Sequence, residues 1–329
     1  MENFQELFQR FSSIRVGVIG DVMLDTYMWG NVDRISPEAP VPIVSLRQKE
    51  QRIGGAGNVA LNLQSLGAPA FVISVTGNDE EADKLSGLFR AQGINCDYII
   101  RSDSRITTNK TRIISRNQQM MRLDAEITND LDARDEERLI ELFEQFVENE
   151  RPDVVILEDY NKGVLTEAAI RVIISICRKA GIITAVDPKR KNFFEYKRVD
   201  IFKPNLKEAK EALNFLFTDV NYLLLQDIHR ELSNLLHHGT SFITLSEKGV
   251  FYQNTEASAL IPSHLRNIAD VSGAGDTVIA VASLVYAATK NVHLMAEIAN
   301  IAGGLVCEEV GTAAIDRMKL LHECELLLS

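Results

Sequence analysis

The residues best suited to chemistry form a short turn of small residues that ends in a carboxylate. In Asp270-Val-Ser-Gly-Ala-Gly-Asp-Thr277, the small residues 273–275 precede Asp276, and 278–288 then runs without proline, glycine or charge. If this run is a helix, its N-terminus presents unpaired N–H groups that favour an anion. A carboxylate would repel that anion unless it accepts a proton from a nucleophile that attacks a phosphate. The alternative is an ordinary helix start with an acidic first turn.

The predicted elements around this turn alternate between strands and helices. The β-branched run 15–19 predicts a first strand, and further strands are predicted at 71–75, 95–100, 154–157 and 182–186. Helices are predicted between them, at 80–92, 133–149 and 166–180. This alternation is typical of a mostly parallel sheet with helices on both faces. Because such sheets bind ligands at the carboxyl ends of their strands, Asp21 and Asp25, which follow the first strand, are candidate binding residues.

Two segments, 26–49 and 108–124, interrupt this alternation with short β-rich patterns. We expect them to form small β excursions from the main sheet. The second segment carries basic residues at even spacings, namely Lys110, Arg112, Arg116 and Arg122. In a single strand this spacing would place all of them on one face. In a protein with a formal net charge of −11, such a face is a candidate for binding an anionic group of a substrate, and a solvated strand face is the alternative.

A second glycine-rich segment, Gly54-Gly55-Ala56-Gly57-Asn58-Val59-Ala60, leads into another apolar helix. Its glycines imply a close approach of the backbone to another group, and Asn58 can both donate and accept hydrogen bonds. The segment fits the dinucleotide fingerprint G-x-G-x-x-A, which requires a strand directly before it. The polar stretch 47–52 predicts no such strand, so we discount a dinucleotide site. Further along, Asn205 and Glu208 have the spacing of a helix cap, but the pair could equally hold a hydrated metal.

Composition and charge exclude several classes of function. Among 329 residues, 46 acidic residues outnumber 35 basic ones, which argues against nucleic-acid and membrane-surface partners. The four cysteines are scattered and no apolar run reaches the length of a membrane span, so we expect a cytoplasmic protein without disulfides. The sequence contains no P-loop and no zinc-binding pattern. The adjacent His237 and His238 are interpreted as solvent-exposed.

Taken together, the glycine-rich segments resemble the signatures of a known family. Gly54 to Ala60, followed by Gly67 and Gly77, is similar to the first signature of the ribokinase-like (PfkB-type) carbohydrate kinases, and Asp270 to Asp276 resembles the second. Asn205-Leu-Lys-Glu208 resembles the N-x-x-E element of the same family. The resemblance implies an α/β fold, namely a three-layer αβα sandwich with a mostly parallel central sheet and a small β lid.

Further segments narrow the resemblance to the D-glycero-β-D-manno-heptose 7-phosphate kinases. These segments are Gly20–Asp25, Arg34–Pro42, Ser115–Gln119, Arg122–Asp124, Asp159–Gly163 and Asp187–Lys189. They imply phosphorylation of the anomeric hydroxyl of the heptose 7-phosphate, a step in the synthesis of ADP-heptose for the lipopolysaccharide core. Bifunctional relatives carry a nucleotidyltransferase domain. Because the H-x-G-H motif is absent, we expect one kinase domain over residues 1–329, with lid segments near 26–49 and 108–124.

The resemblance also implies a function for each matching position. Asp276 would accept the proton of the sugar hydroxyl, and the N–H groups of Gly273, Ala274 and Gly275 would stabilise the transferred phosphoryl group. Positions that match the sugar site of the family are Asp21, Asp25, Gly54, Gly55 and Asn58. Candidate cations for the distal phosphate of the substrate are Lys110, Arg112, Lys162 and Lys189. Positions that match the nucleotide site are Asn205, Glu208, Thr244, Ser246, Gly249 and Asn300.

The resemblance makes ATP the co-substrate, with Glu208 acting on Mg²⁺ through water. It also allows a monovalent cation near Asp270 and implies a homodimer paired through the lid. One alternative is a kinase for another substrate, such as ribose, a ketohexose phosphate or a nucleoside. Another is a non-catalytic sugar-binding or regulatory protein with the same fold. The basic lid residues favour a phosphorylated substrate, and the presence of both Asp276 and Glu208 favours an enzyme.

Overall fold

The strands in the described part of the chain form two separate sheets, and the apolar runs of the sequence lie in the larger one. The computed structural model describes residues 3–116, 118–215, 220–264 and 266–328, so Asn117, within the segment Ser115–Gln119, lies outside the described residues. The strands are β1 Val16–Gly20, β2 Val22–Ile35, β3 Pro42–Gly55, β4 Ala70–Gly77, β5 Asn95–Ser102, β6 Asn109–Ser115, β7 Gln118–Ala125, β8 Val154–Glu158, β9 Ile183–Asp187, β10 Ile201–Phe202, β11 Thr240–Thr244, β12 Val250–Gln253 and β13 Ser258–Ile261. The helices are α1 Phe4–Arg10, α2 Ala56–Ser65, α3 Glu80–Ala91, α4 Ala133–Glu150, α5 Glu167–Ala180, α6 Leu206–Ala212, α7 Tyr222–Leu236, α8 Ala274–Thr289, α9 Val292–Val306 and α10 Arg317–Leu327.

Among the described residues, the larger sheet contains nine strands in the order β13-β12-β11-β10-β9-β8-β1-β4-β5. Its strands from β11 to β5 are parallel, whereas β12 and β13 continue the sheet antiparallel at one edge. In the register of the centre, Gly20 lies opposite Glu158, and Glu158 lies opposite Asp187. The carboxyl ends of β1, β8 and β9 therefore lie side by side, which brings the polar residues that follow them to one edge of the sheet.

Side chains that alternate along the central strands enter two different hydrophobic cores. Val154 and Ile156 of β8 belong to the core that includes α2, α8 and α9. Val155 and Leu157 belong to the core that includes α4, α5 and α7. Because successive strand residues point to opposite faces, a sheet covered on both sides must be apolar at every position. The predicted three-layer fold with a mostly parallel sheet is confirmed. None of the helices described is both long and apolar enough to cross a membrane.

The smaller sheet has four strands in the order β3-β2-β6-β7. Residues 47–52 lie inside β3, so the prediction that no strand precedes the glycine-rich segment is wrong. Their polar composition reflects exposure, because β3 is an edge strand whose residues 45–49 are exposed. Since β3 pairs antiparallel with β2, it does not form the βαβ unit of a dinucleotide site. Asp25, expected to follow a strand end, lies within β2.

The basic residues of 108–124 are divided between two strands. Lys110 and Arg112 lie on β6, Arg116 lies in the following turn with a φ of 48°, and Arg122 lies on β7. The expectation of one basic strand face is therefore wrong, because the chain reverses direction at residue 116. Arg122 lies opposite Arg112 in the antiparallel register, so it shares a sheet face with Arg112 and Lys110, whereas Arg116 does not belong to that strand pair.

His238 is buried, so the prediction that both adjacent histidines are exposed is wrong for this residue. His237 takes a left-handed conformation with a φ of 51° at the end of α7, and this turn directs the next side chain inward. The Nε2 atom of His238 lies 2.6 Å from the hydroxyl of Ser241. Burial lowers the pKa of His238 to about 3, with a smaller effect from His229, so the ring is neutral at physiological pH.

Asn62 of α2 ties together the elements that carry the two glycine-rich turns. Its Oδ1 accepts hydrogen bonds from the hydroxyl of Thr277 and from the N–H of Ile315, each at 3.0 Å. Its Nδ2 donates to the carbonyl of Asn58 at 2.8 Å. Because Asn62 is fully buried, these groups have no access to water as an alternative partner.

Replacing Asn62 with alanine leaves the buried N–H of Ile315 without its acceptor, while the hydroxyl of Thr277 keeps only its longer hydrogen bond to the carbonyl of Gly273, at 3.2 Å. We expect Asn62→Ala to lower the free energy of unfolding by about 2 to 3 kcal/mol, the cost of unsatisfied buried polar groups. Urea unfolding followed by circular dichroism measures this change. Gln64→Ala on the same helix is the control, because Gln64 is partly exposed, and its effect should be small. Equal stability of the Asn62 variant and the wild type would contradict a stabilising role for the hydrogen bonds that connect α2 with α8.

Candidate active site

Asp276 lies in the first turn of α8, where it is 4% exposed. The Nδ2 group of Asn58 donates to Oδ2 of Asp276 at 2.8 Å, and the hydroxyl of Tyr160 donates to Oδ1 at 2.6 Å. Burial raises the pKa of Asp276 to about 6, although both hydrogen bonds favour the charged form and oppose this shift. A positioned carboxylate with this pKa can accept a proton near neutral pH.

The turn before α8 presents backbone N–H groups beside Asp276. Gly273 is the N-cap with a φ of 80°, and a Cβ at this position would lie 2.7 Å from Nδ2 of Asn58. Glycine is therefore required for the left-handed conformation and for the contact between Asn58 and Asp276. The N–H of Ala274 donates to a carbonyl of the preceding turn at 3.3 Å. The N–H groups of Gly275 and Asp276 belong to the first helical turn, which lacks intrahelical acceptors and attracts anions.

Charged side chains of alternating sign lie at the carboxyl edge of the sheet. Asp187, at the end of β9, lies 2.7 Å from Nζ of Lys203 and 3.1 Å from Nζ of Lys189. Lys189 also lies 2.8 Å from a carboxylate oxygen of Glu208. Burial would raise the pKa of Asp187, but Lys189 and Lys203 hold it below its usual value. Two ammonium groups are thus fixed near the sheet edge, where they can stabilise phosphate oxygens.

Glu158, at the end of β8, is fully buried, and neither of its carboxyl oxygens has a hydrogen-bond partner among the described residues. Burial raises the pKa of Glu158 well above its usual value, and the neighbouring Asp187 and Asp276 raise it further. An ionised carboxylate without partners is costly to bury, so burial favours the protonated form of Glu158. The pKa of Glu158 is therefore raised, whereas the pKa of the neighbouring Asp187 is lowered.

Tyr160 connects Asp276 to the cations on either side of the site. Its hydroxyl donates to Asp276, and its ring centroid lies 5.4 Å from Nζ of Lys110 and 5.6 Å from Nζ of Lys189. An ammonium group at this distance is attracted by the aromatic ring. Lys110 comes from the smaller sheet and Lys189 from the loop after β9, so Tyr160 lies where the two sheets meet.

The smaller sheet places the predicted sugar-site residues next to Asn58. Asp25 forms an ion pair with Arg112, and their side chains are 4% and 16% exposed. A Cβ on Gly54 would lie 2.4 Å from Oδ2 of Asp25, so the close approach of these residues requires glycine. Gly55, with a φ of 60°, is the N-cap of α2 and leads the chain to Asn58. The structure thus brings these residues together beside Asp276.

Asp21 has contacts that shape a loop. Its Oδ2 accepts hydrogen bonds from the N–H groups of Tyr160 and Lys162, at 2.8 and 3.0 Å, and its Oδ1 accepts one from Val164 at 3.1 Å. Burial raises the pKa of Asp21, and these backbone hydrogen bonds oppose the shift. The described hydrogen bonds of the Asp21 carboxylate come from backbone N–H groups of the loop after β8, and they position Tyr160.

Lys110 and Lys162 form a positive region beside the smaller sheet. Lys162 pairs with Glu126 at 2.7 Å. Burial lowers the pKa of Lys110, and the charge of Lys162 lowers it further. Two ammonium groups that repel one another in a partly buried region are stabilised by an added anion. Lys189 lies apart from them, in the ion-pair network with Asp187 and Glu208.

The predicted nucleotide-site residues lie around the carboxyl ends of β10 and β11. Asn205 and Glu208 form a complete capping box at the start of α6, and Asn205 bridges to Thr244 at the end of β11. Ser246, with a φ of 55°, and Gly249, with a φ of 93°, shape the turn that follows. Asn300 of α9 donates to the carbonyl of residue 262 at 2.9 Å, and this strand end packs against Gly249. The structure brings these positions to one end of the sheet, next to Lys189.

Sequence reasoning missed four residues of this site as individual candidates. They are Tyr160, Asp187, Lys203 and Glu158. Each lies at the end of a parallel strand or within two residues after it. Parallel sheets bind ligands at the carboxyl ends of their strands, and this rule selected Asp21 and Asp25. Applied to every predicted strand, the same rule would have selected these four residues.

The hydroxyl of Tyr160 lowers the pKa of Asp276, so its removal has a measurable effect. We expect Tyr160→Phe to raise the pKa of Asp276 above about 6, because the carboxylate loses one of its two donors. The carboxyl ¹³C chemical shift of labelled aspartate, followed by NMR across pH, measures this change. Tyr222→Phe is the control, because the Tyr222 hydroxyl bonds to Ser258 at 2.7 Å, away from Asp276. An unchanged midpoint in Tyr160→Phe would contradict the hydrogen bond.

The chain is similar in sequence to proteins named HldE. The bifunctional protein HldE of Desulfatibacillum aliphaticivorans is 39% identical over 313 residues, which cover 94% of this chain and 63% of that protein. The bifunctional protein HldE of Geobacter sulfurreducens is 36% identical over 321 residues, covering 97% of this chain and 65% of the relative. The chain thus spans less than two thirds of the length of these relatives.

Solved structures share the fold at low sequence identity. Phosphofructokinase-2 from Escherichia coli, in complex with potassium, has a TM-score of 0.79 at 17% identity. The match covers 95% of this chain and 99% of the phosphofructokinase-2 chain. Ribokinase from Arabidopsis thaliana, complexed with ribose and ATP, has a TM-score of 0.72 at 16% identity. The match covers 94% of this chain and 98% of the ribokinase chain. The profile described as pfkB family carbohydrate kinase matches residues 13–318. Since this match takes in both glycine-rich turns and the whole carboxyl edge of the sheet, the chain belongs to the pfkB family of carbohydrate kinases.

Proposed function

We propose that this protein transfers the γ-phosphoryl group of ATP to the anomeric hydroxyl of D-glycero-β-D-manno-heptose 7-phosphate. The observation that carries the kinase chemistry is the buried carboxylate of Asp276, which has a pKa of about 6 and lies at the N-terminus of α8. The sugar is supported by the resemblance of segments such as Asp159–Gly163 to heptose 7-phosphate kinases and by the identity to proteins named HldE.

In the proposed reaction the sugar hydroxyl oxygen attacks the γ-phosphorus of ATP. Its proton passes to Asp276 as the new O–P bond forms, and the bond from the γ-phosphorus to the bridging oxygen of ADP breaks. Of the predicted N–H groups, those of Gly273 and Gly275 would stabilise the charge on the transferred group, together with that of Asp276. The N–H of Ala274 instead donates to the carbonyl of Val271. Tyr160 and Asn58 orient the carboxylate, so that its remaining acceptor capacity faces the substrate.

The residues at the carboxyl edge fit the nucleotide's magnesium. Mg²⁺ in kinases is usually held by one or two carboxylates, water and substrate phosphates. Within the described chain no group of three or more metal-binding side chains is found, which agrees with that mode and not with a closed protein cage. Glu208, with Asn205 beside it, would hold the ion through water. The ion would neutralise charge on the phosphates, while Lys189 and Lys203 provide positive charge from the protein.

We further propose a lid over the sugar, a homodimer and a monovalent cation. The smaller sheet, β3-β2-β6-β7, would cover the sugar as a lid within one kinase domain, with Lys110 and Lys162 near the distal phosphate. Pairing of lids in a homodimer is supported by the exposed Met121 and Leu123 of β7, which are 55% and 52% exposed. The proposal also includes a monovalent cation near Asp270 and a cytoplasmic location. The solved phosphofructokinase-2 structure is a complex with potassium.

Asp276→Asn tests the proposed base. We expect turnover to fall by about 10²- to 10⁴-fold, because general base catalysis contributes this much, while binding of ATP and sugar is retained. ADP release in a coupled assay measures turnover, and calorimetry measures binding. Asp227→Asn on α7, where the side chain is 51% exposed, is the control and should keep full activity. Turnover of Asp276→Asn at the rate of the wild type would reject Asp276 as the base.

A panel of phosphorylated and unphosphorylated sugars tests the substrate. We expect ATP-dependent turnover with the heptose 7-phosphate. Lys110→Met should raise KM for this sugar by about 10- to 100-fold, because this factor corresponds to the free energy of one hydrogen bond to a charged group. Lys49→Met, an exposed change on β3, is the matched control. Turnover of a ketohexose phosphate but not of the heptose would reject the sugar assignment alone. No turnover of any sugar would reject the kinase and favour a binding protein.

A further inference from the structure

A surface cavity of about 450 Å³ lies along the outer side of α5 and contains a concentration of positive charge. Its cations are Arg171, Arg178 and Lys179 from α5, and Lys197 and Arg198 from the segment before β10. The one acidic side chain in its lining is Glu195. The whole chain carries a formal net charge of −11, so this cavity has the opposite sign to the protein as a whole.

Most of this positive charge is not balanced within the cavity. Arg171 pairs with Glu195 at 2.9 Å and also contacts Glu167. For Arg178, Lys179, Lys197 and Arg198, no ion pair with a described residue is found. Several like charges around one concave surface repel one another and create a local potential that attracts anions.

The helix dipole accounts for only part of this arrangement. Arg178 and Lys179 lie in the last turn of α5, where cations are favoured in any helix. Lys197 and Arg198 belong to a different segment, and backbone hydrogen bonds fix its course. The N–H of Lys197 donates to the carbonyl of Glu195, and that of Arg198 donates to Leu236, each at 2.8 Å. Arg198 is held with a φ of 63°, a conformation that residues other than glycine adopt rarely.

The chemistry of the lining identifies the class of ligand. Guanidinium groups present paired N–H donors that match phosphate oxygens, and lysines add point charges for the same groups. A volume of about 450 Å³ lies within the range of small-molecule sites. We propose that this cavity binds a small molecule that bears two or more phosphate groups.

The cavity is separate from the candidate active site. Helix α5 ends at Ala180, next to the amino end of β9, and Arg198 likewise precedes the amino end of β10. Asp276 and Asp187 instead lie at the carboxyl edge of the same sheet. Because the two sites occupy opposite edges, binding in the cavity does not depend on the proposed kinase reaction.

Hydrogen–deuterium exchange of the full chain with inorganic tripolyphosphate as the probe tests this site. We expect tripolyphosphate to slow amide exchange in peptides that cover 175–181 and 193–199. The double variant Arg178→Gln/Arg198→Gln should lose this protection, because each lost arginine contact weakens binding by about tenfold. Protection should also decrease as sodium chloride is raised, since exposed charges are screened by salt.

The matched control is Arg134→Gln/Arg230→Gln, which removes two charges from the exposed surfaces of α4 and α7 and should keep the protection. Protection confined to 270–277 and its neighbours would overturn the proposal, because the probe would then bind at the active site only. Protection of 193–199 that persists in the Arg178/Arg198 variant would overturn it as well. ATP turnover on the heptose phosphate, measured in parallel, tests the proposed function independently of either result.

Discussion

The arrangement of the site depends on the two hydrogen bonds that hold the carboxylate of Asp276. Their donors come from residues 218 and 116 positions away in the sequence, Asn58 at the start of α2 and Tyr160 after β8. Each donor is itself placed by a further constraint. Gly273 leaves room for the amide of Asn58, and Asp21 holds the backbone of Tyr160. A buried acid with this support keeps one geometry and a pKa near neutrality.

The electrostatics of the site follow from the crowding of acids at one sheet edge. Two lysines beside Asp187 lower its pKa, whereas burial without hydrogen-bond partners among the described residues raises the pKa of Glu158. Asp276 lies between these cases, since its hydrogen-bond partners are neutral donors that only partly offset burial. Similar side chains in one region thus differ in pKa because of their neighbours.

Local sequence was sufficient for the strands, the layered fold and the two glycine-rich turns, because apolar runs and small residues report local structure. It was insufficient where an outcome depended on the pairing of distant strands. The stretch 47–52 is charged and still forms a strand, because β3 is an exposed edge. The basic residues of 108–124 divide at a hairpin that no glycine marks. Tyr160 and Lys203 follow predicted strands, so their positions at strand ends can be derived from the sequence. That these strand ends meet around Asp276 depends on the strand order, which brings β8, β9 and β10 together.

The connection between the two sheets has a mechanical consequence. Only Asp21 separates β1 from β2. Its N–H donates a hydrogen bond to the carbonyl of Glu158, and its carbonyl accepts one from the N–H of Ala56. Its carboxylate accepts hydrogen bonds from the loop after β8. This junction cannot serve as a hinge without breaking those bonds. The irregularities in the pairing of β2 with β3 lie farther out, between Trp29 and Gly30 and between Val32 and Arg34, and a strand bends more easily at such irregularities. Asp25 and Lys110, at the fixed base, would keep their positions while the outer part of the sheet moves.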